Sequence, residues 1–362
     1  MRFDRVSTTG SGAAGVLVTS FGDISITGRD VTTRGPFSTG ISAQSGFFDC
    51  GAPNCGGDGG NISIETSGTV SSTRFGIVAS NRTGTVTIRA ADVEVSTNSA
   101  AIEASSGNSV NITVSGTASS GLASPQAPVR AAVVARATGS ATVAVANVST
   151  VSDFADGVSA SATRGAVDVT VTGNITTRGG SAEGVDALAL AGSATVTNSG
   201  TIATSGGSAG GVVVRASRGA TVNGAGSVAT SGDRSTGIAA TSSGGGAVSV
   251  AQGAVSTSGA DAPAVAATSL GSGGSVTVNV GSVRATGVRS AGVIATSDGP
   301  VAVTAGAASA ADGSAILAAS LASSATVTVS GLTTSGTSDA VFLAAVTTAT
   351  ANVGAGATVL GG

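Results

Sequence analysis

A small residue followed by Val or Ile recurs thirteen times along this chain, from Gly15-Val16 to Ala340-Val341. The β-branched members are Val16, Ile41, Ile77, Ile102, Val133, Val158, Val185, Val212, Ile238, Val265, Val293, Ile316 and Val341. Ten of the twelve steps between them lie between 23 and 28 residues; the other two are 36 and 31. A period near 26 held from end to end is the mark of a solenoid, in which each unit buries its apolar face only against its neighbours. The unit is plainest at 228–254, VATSGDRSTGIAATSSGGGAVSVAQGA. Its three apolar runs, VATS, GIAATS and AVSVAQ, are four to six residues long and alternate with a period of two, which predicts strands and not helices. Gly232 and Gly244-Gly245-Gly246 separate the runs and admit turn conformations, and Asp233 is placed to cap a turn backbone with its side chain.

Three strands and three turns make one coil of a parallel β-helix, so the expected fold is all-β: a single right-handed solenoid of about 13 coils. The handedness follows from the preference for right-handed crossovers between parallel strands. With strands stacked at about 4.8 Å, twelve steps predict a rod of roughly 60 Å. Runs such as Val167-Asp168-Val169-Thr170-Val171 and Val276-Thr277-Val278-Asn279-Val280 place Val inward and polar residues outward. The chain has no Trp or Tyr and only 8 Phe, which suits a thin core of stacked β-branched and small side chains. A content of 41% hydrophobic residues, with Val and Ile in register, argues against the disorder that abundant Gly and Ser would otherwise suggest.

A solenoid grows in one dimension, so 1–362 reads as one continuous domain without linkers. The two long steps are loop insertions. One, at 47–60, carries Phe47, Phe48, Cys50 and Cys55; the other, at 122–128, carries Pro125 and Pro128, which preclude a central strand. Both ends of the chain read as partial units with no polar cap over their open strand edges, so the expectation is an excerpt of a longer array stacked on neighbouring repeats. The opening MRFDRVSTTG has no apolar signal-peptide core. No stretch of 18 apolar residues exists, and no membrane span is expected in this segment.

Charge and candidate chemistry narrow the function. There are 16 Arg, 19 acidic residues, no Lys and no His, for a net charge of −3. The arginines are scattered singly, so no nucleic-acid face is expected. Cys50 and Cys55 lack the further ligands that a zinc site needs, and their spacing is wider than that of a redox dithiol. They are disulfide candidates in a Gly-rich loop, which implies an oxidising compartment. No metal or cofactor is expected.

Ser–His catalysis is excluded by the lack of His, leaving carboxylates. Asp153, Asp156, Glu183, Asp186, Asp233, Asp261, Asp312 and Asp339 fall in or beside the first turn of their units. Turn capping is the ordinary use of such acids. The alternative is a polysaccharide hydrolase or lyase using acids on adjacent coils, with Asp156–Glu183 and Asp153–Asp186 as the pairs to inspect. Hydroxyls of the first strands, among them Thr32-Thr33, Thr176-Thr177 and Ser256-Thr257-Ser258, raise the idea of a repeated Thr face toward ice or a crystalline polymer, but strict Thr-x-Thr columns are absent there. Phe47 and Phe48 mark the insertion as a possible partner-contact loop.

The phrase TSG-x-x-x-TG[IV]-x-A-x-S, from Thr230 to Ser242 and more loosely from Thr177 to Leu190 and Thr204 to Ser217, resembles the passenger arrays of bacterial autotransporters. It is also similar to filamentous-haemagglutinin-type adhesins, and the resemblance covers the whole chain. It implies an exported, non-enzymatic stalk or adhesin on a Gram-negative cell surface, meeting an unknown surface, host or matrix ligand. A complete member would carry a signal peptide and a C-terminal membrane barrel, which this stretch does not show, so the resemblance implies a fragment of a longer protein.

Overall fold

The computed structural model describes residues 1–46, 59–122 and 130–362. Among them the chain forms 32 strands and no helix, and every pairing between named strands is parallel. It is a parallel β-solenoid of about thirteen turns. The Val/Ile column is its spine: the second run of every unit contributes one strand to a 13-stranded sheet, from Ala14–Ser20 to Val341–Ala345. In that sheet Val16 pairs with Ile41, Ile41 with Ile77, and so on in unbroken register to Ile316 with Val341. The first twelve of these side chains are at most 2% exposed, while Val341, in the last coil, packs on the core from one side only.

The small residue before each of them has a steric cause. At Gly237 a Cβ would lie 2.5 Å from the Ala264 carbonyl oxygen of the next coil and 2.6 Å from Val255 Cγ1 of a first strand. The chain turns the corner into the second sheet there, and the neighbouring coil's backbone comes close. Ala, with one methyl, stands at some of the thirteen positions, and nothing larger does.

The remaining 19 strands come from the first and third runs. Here the structure departs from a three-turn unit. In many coils the third run continues into the first run of the next unit as one strand, as in Ala247–Thr257. Its inward alternation, Val248, Val250, Gln252, is interrupted by two outward residues and resumes at Val255 and Thr257. The strand therefore changes face at a bulge-like bend and does not stop. The amide displaced at such bends finds a side chain of the preceding coil: Thr69 donates to Asp30 Oδ1 at 3.1 Å, Thr117 to Asp92 Oδ1 at 2.8 Å and Asn174 to Asn147 Oδ1 at 3.1 Å. Supplying a partner there removes the penalty of an unpaired buried N–H.

The core is one continuous cluster running through the stacked coils, and its largest fully buried side chains are all Ile. Columns of Ser seal its edge at the second turn, where Ser269, Ser297 and Ser320 each donate to a Gly carbonyl of the preceding coil at 2.8 Å.

Candidate functional site

The first turn, between the first and second strands, gathers most of the chain's candidate chemistry. It begins with a buried Thr whose hydroxyl donates to the carbonyl five residues on. Thr150 reaches Ala155, Thr177 Ala182, Thr204 Ala209, Thr230 Ser235 and Thr257 Ala262, at 2.6–2.8 Å. These threonines are at most 4% exposed. Three hydroxyls that the sequence offered as part of an outward Thr face, Thr33, Thr177 and Thr257, thus point inward and serve the turn, Thr33 by accepting from the Ser38 hydroxyl.

Two residues after the Thr, Gly179, Gly206, Gly232 and Gly259 stack with no room for a Cβ against the carbonyl of the coil before. Two residues further on the backbone enters the left-handed region: Phe154, Ser181, Ser208, Arg234, Asp261 and Arg289 all have φ between 52° and 59°. Each column repeats because each coil's turn lies on the last. Phe154, Ser181, Ser208 and Arg234 all donate their N–H to the following coil's turn.

The acids act largely within this stack. Asp153 accepts the Gly180 N–H at 2.7 Å, Asp156 that of Glu183 at 2.9 Å and Asp233 that of Ala260 at 2.8 Å. Asp312 accepts the Arg289 N–H at 3.0 Å and the Thr337 hydroxyl at 2.6 Å. Asp261 receives both Nε and Nη2 of Arg289, at 2.7 and 2.5 Å. Asp186 lies on the second strand, one residue past Val185, and pairs with Arg215 at 2.9 Å.

Of the two acid pairs singled out from the sequence, the structure brings Asp156 and Glu183 together and leaves Asp153 and Asp186 with other partners. Burial, the hydrogen bond to the Glu183 carboxyl and repulsion from it push Asp156 up to about 9, against the pull of the Glu183 N–H. Asp186 is also raised by burial, with Arg215 working in the opposite direction. Glu183 borders a shallow hollow of about 170 Å³ together with Arg215 and Arg234. Among the described residues no three acids converge closely enough to hold a metal ion.

A larger hollow, about 380 Å³, lies on the outer face of the first strands. Its ends carry Arg178 and Arg284, and its floor is Ala, Ser and Thr. Sequence reading passed over it because the two arginines stand 106 positions apart in the chain and look isolated. The only signal would have been to write the units beneath one another. The ion pairs among the described residues engage Arg5, Arg29, Arg130, Arg136, Arg215 and Arg289, and leave Arg178 and Arg284 without a carboxylate.

Phe47, Phe48, Cys50 and Cys55 lie outside the described residues. Among the described residues no helix is long and apolar enough to cross a membrane. The architecture defines the class of protein, a parallel β-solenoid. No family model, curated protein or solved structure matches the chain.

Proposed function

We propose that this chain is a rigid, non-enzymatic segment of an exported surface protein, a stalk of the adhesin kind displayed by a Gram-negative cell. The observation that carries the reading is where the first-turn acids are used. Asp153, Asp156, Asp233 and Asp312 each hold a backbone N–H of an adjacent coil, so they fasten one coil to the next. Carboxylates engaged with backbone are poorly placed to act on a substrate, whereas a rod fastened coil by coil transmits length and stiffness. The autotransporter-like repeat phrase supports export, and the 47–60 insertion is the segment offered to a partner.

Two experiments test this. The chain, fused behind a secretion signal and ahead of an outer-membrane barrel, is expected to become protease-accessible on intact cells and to increase their adhesion. Deleting 47–60 is expected to keep the display and reduce the adhesion; unchanged adhesion removes the loop from the reading.

One observation favours a second reading, a carbohydrate-active enzyme. A protonated Asp156 beside Glu183, with Arg215 and Arg234 nearby, has the perturbed-acid signature common at active sites. The purified chain is expected to release no reducing ends from a panel of neutral and acidic polysaccharides. Release that disappears in Asp156→Asn would establish the enzyme and end the stalk reading.

A further inference from the structure

We propose that the groove on the outer face of the first strands binds a linear anionic polysaccharide, with Arg178 and Arg284 each taking a carboxylate or sulfate at its two ends. The groove crosses five coils. Arg284 stands in one ladder column with Ser256, Ala229 and Ala203, whereas Arg178 stands in the adjoining turn column with Ser231 and Ser258. Four coil steps put the two guanidinium-bearing positions roughly 19 Å apart along the rod axis. Between them the columns carry side chains much shorter than arginine, among them Ala203, Ala229, Ser231 and Ser258, and this difference in length makes the trough.

Three features fix the ligand class. First, no acid lines the groove and neither arginine has a carboxylate partner, so two positive charges stand open on a chain whose net charge is −3. An anion is drawn to this spot and repelled by the molecule as a whole, which makes the attraction local. A guanidinium takes carboxylate and sulfate in the same forked geometry. Second, the floor between the charges presents hydroxyls and methyls in a repeat of about 4.8 Å, suited to hydrogen-bonding a polyol that is itself periodic and extended. Third, the groove holds no aromatic side chain, so it offers no platform for stacking nucleobases, and single-stranded nucleic acid is the poorer fit. The groove's residues lie within 176–286, and binding there does not depend on whether the protein is exported.

The test measures binding of fluorescent oligogalacturonate, dextran sulfate and neutral dextran to the whole chain by anisotropy, with oligothymidylate of matching length as a fourth probe. Binding to at least one anionic glycan is expected, weakening as salt is raised; whichever of the two binds tighter identifies carboxylate or sulfate as the preferred group. Arg178→Ala and Arg284→Ala are each expected to weaken it about tenfold, the loss of one charge-assisted contact. Arg164→Ala, outside the groove, is expected to leave it unchanged. Both groove arginines are exposed, and circular dichroism of each variant checks that the rod is intact. The proposal is overturned if neither anionic glycan binds, if the double variant binds like the parent, if Arg164→Ala weakens binding as much, or if neutral dextran or oligothymidylate binds at least as well.

Discussion

Asp156 sits at the junction of two coils, with a backbone N–H on one of its oxygens and the Glu183 carboxyl beside it. Its raised value has a direct consequence for stability. An acid whose folded-state pKa of about 9 exceeds its ordinary 3.8 binds more protons folded than unfolded throughout that interval. Stability from this group is therefore full below about pH 4 and is lost as the pH rises through 9. Asp156→Asn keeps an oxygen for the Glu183 N–H and puts an N–H toward the Glu183 carboxylate, mimicking the protonated form. The variant is expected to melt like the parent at pH 4 and higher than it at pH 9; an equal shift at both pH values would show that Asp156 is ionised in the fold.

The same scale explains the small residue at each corner. Gly237→Ala is expected to cost about 1 kcal/mol and Gly237→Val about 3, the span of overpacking a closed site, read from urea midpoints. Equal midpoints would mean that the corner has room which the 2.5 Å approach to the Ala264 carbonyl denies.

Elements in this protein are held by turns that recur in register. The Thr hydroxyl that closes the first turn is isosteric with a Val methyl, so Thr230→Val removes only the 2.6 Å bond to the Ser235 carbonyl. Leaving that carbonyl buried and unmet is expected to cost about 1–2 kcal/mol. Ser208 tests the other end of the turn. Its φ of 57° is strained for a residue with a Cβ, whereas Gly adopts it freely. Ser208→Gly is expected to raise stability by up to about 1 kcal/mol, the relief of strain less the extra chain entropy lost by Gly. A loss of stability would locate the value of Ser208 in its side chain and not in its backbone. That residues as unlike as Phe154, Ser208, Arg234 and Asp261 hold this φ shows that the stack imposes the conformation and the side chain tolerates it.

At the scale of the whole molecule, stability is a chain of nearest-neighbour interfaces. Val212 and Ile238 are fully buried in adjacent coils of the spine. A carboxylate at either position has no partner in the core, so Val212→Asp and Ile238→Asp are expected to open their own coil and expose the coils on both sides. Hydrogen exchange should show protection lost first in 185–265 and retained toward the ends; protection lost uniformly would mean that the rod melts as one unit. Small-angle scattering is expected to return a rod of roughly 60 Å, from twelve steps at strand spacing.

The repeat alone determined the class of fold and the identity of the spine, because a solenoid writes its contacts into the sequence at a fixed period. Inward Val and Ile, the Gly or Ala ahead of them and the TSG turn phrase all follow from contacts between one unit and the next. Three matters depended on the stacked structure. The bend between third and first runs, as in Ala247–Thr257, kept its ladder and became one strand, since hydrogen bonds to the coils on either side do not require the chain to stop. Alternate threonines of the first runs, such as Thr177 and Thr257, turned inward, because the period of two points the last residue of the run at the core, where its hydroxyl meets the carbonyl five residues on. Arg178 and Arg284 became the two ends of one groove. That they share one groove depends on the short side chains of the three intervening coils, and a period shows which residues share a column without showing what stands open between them.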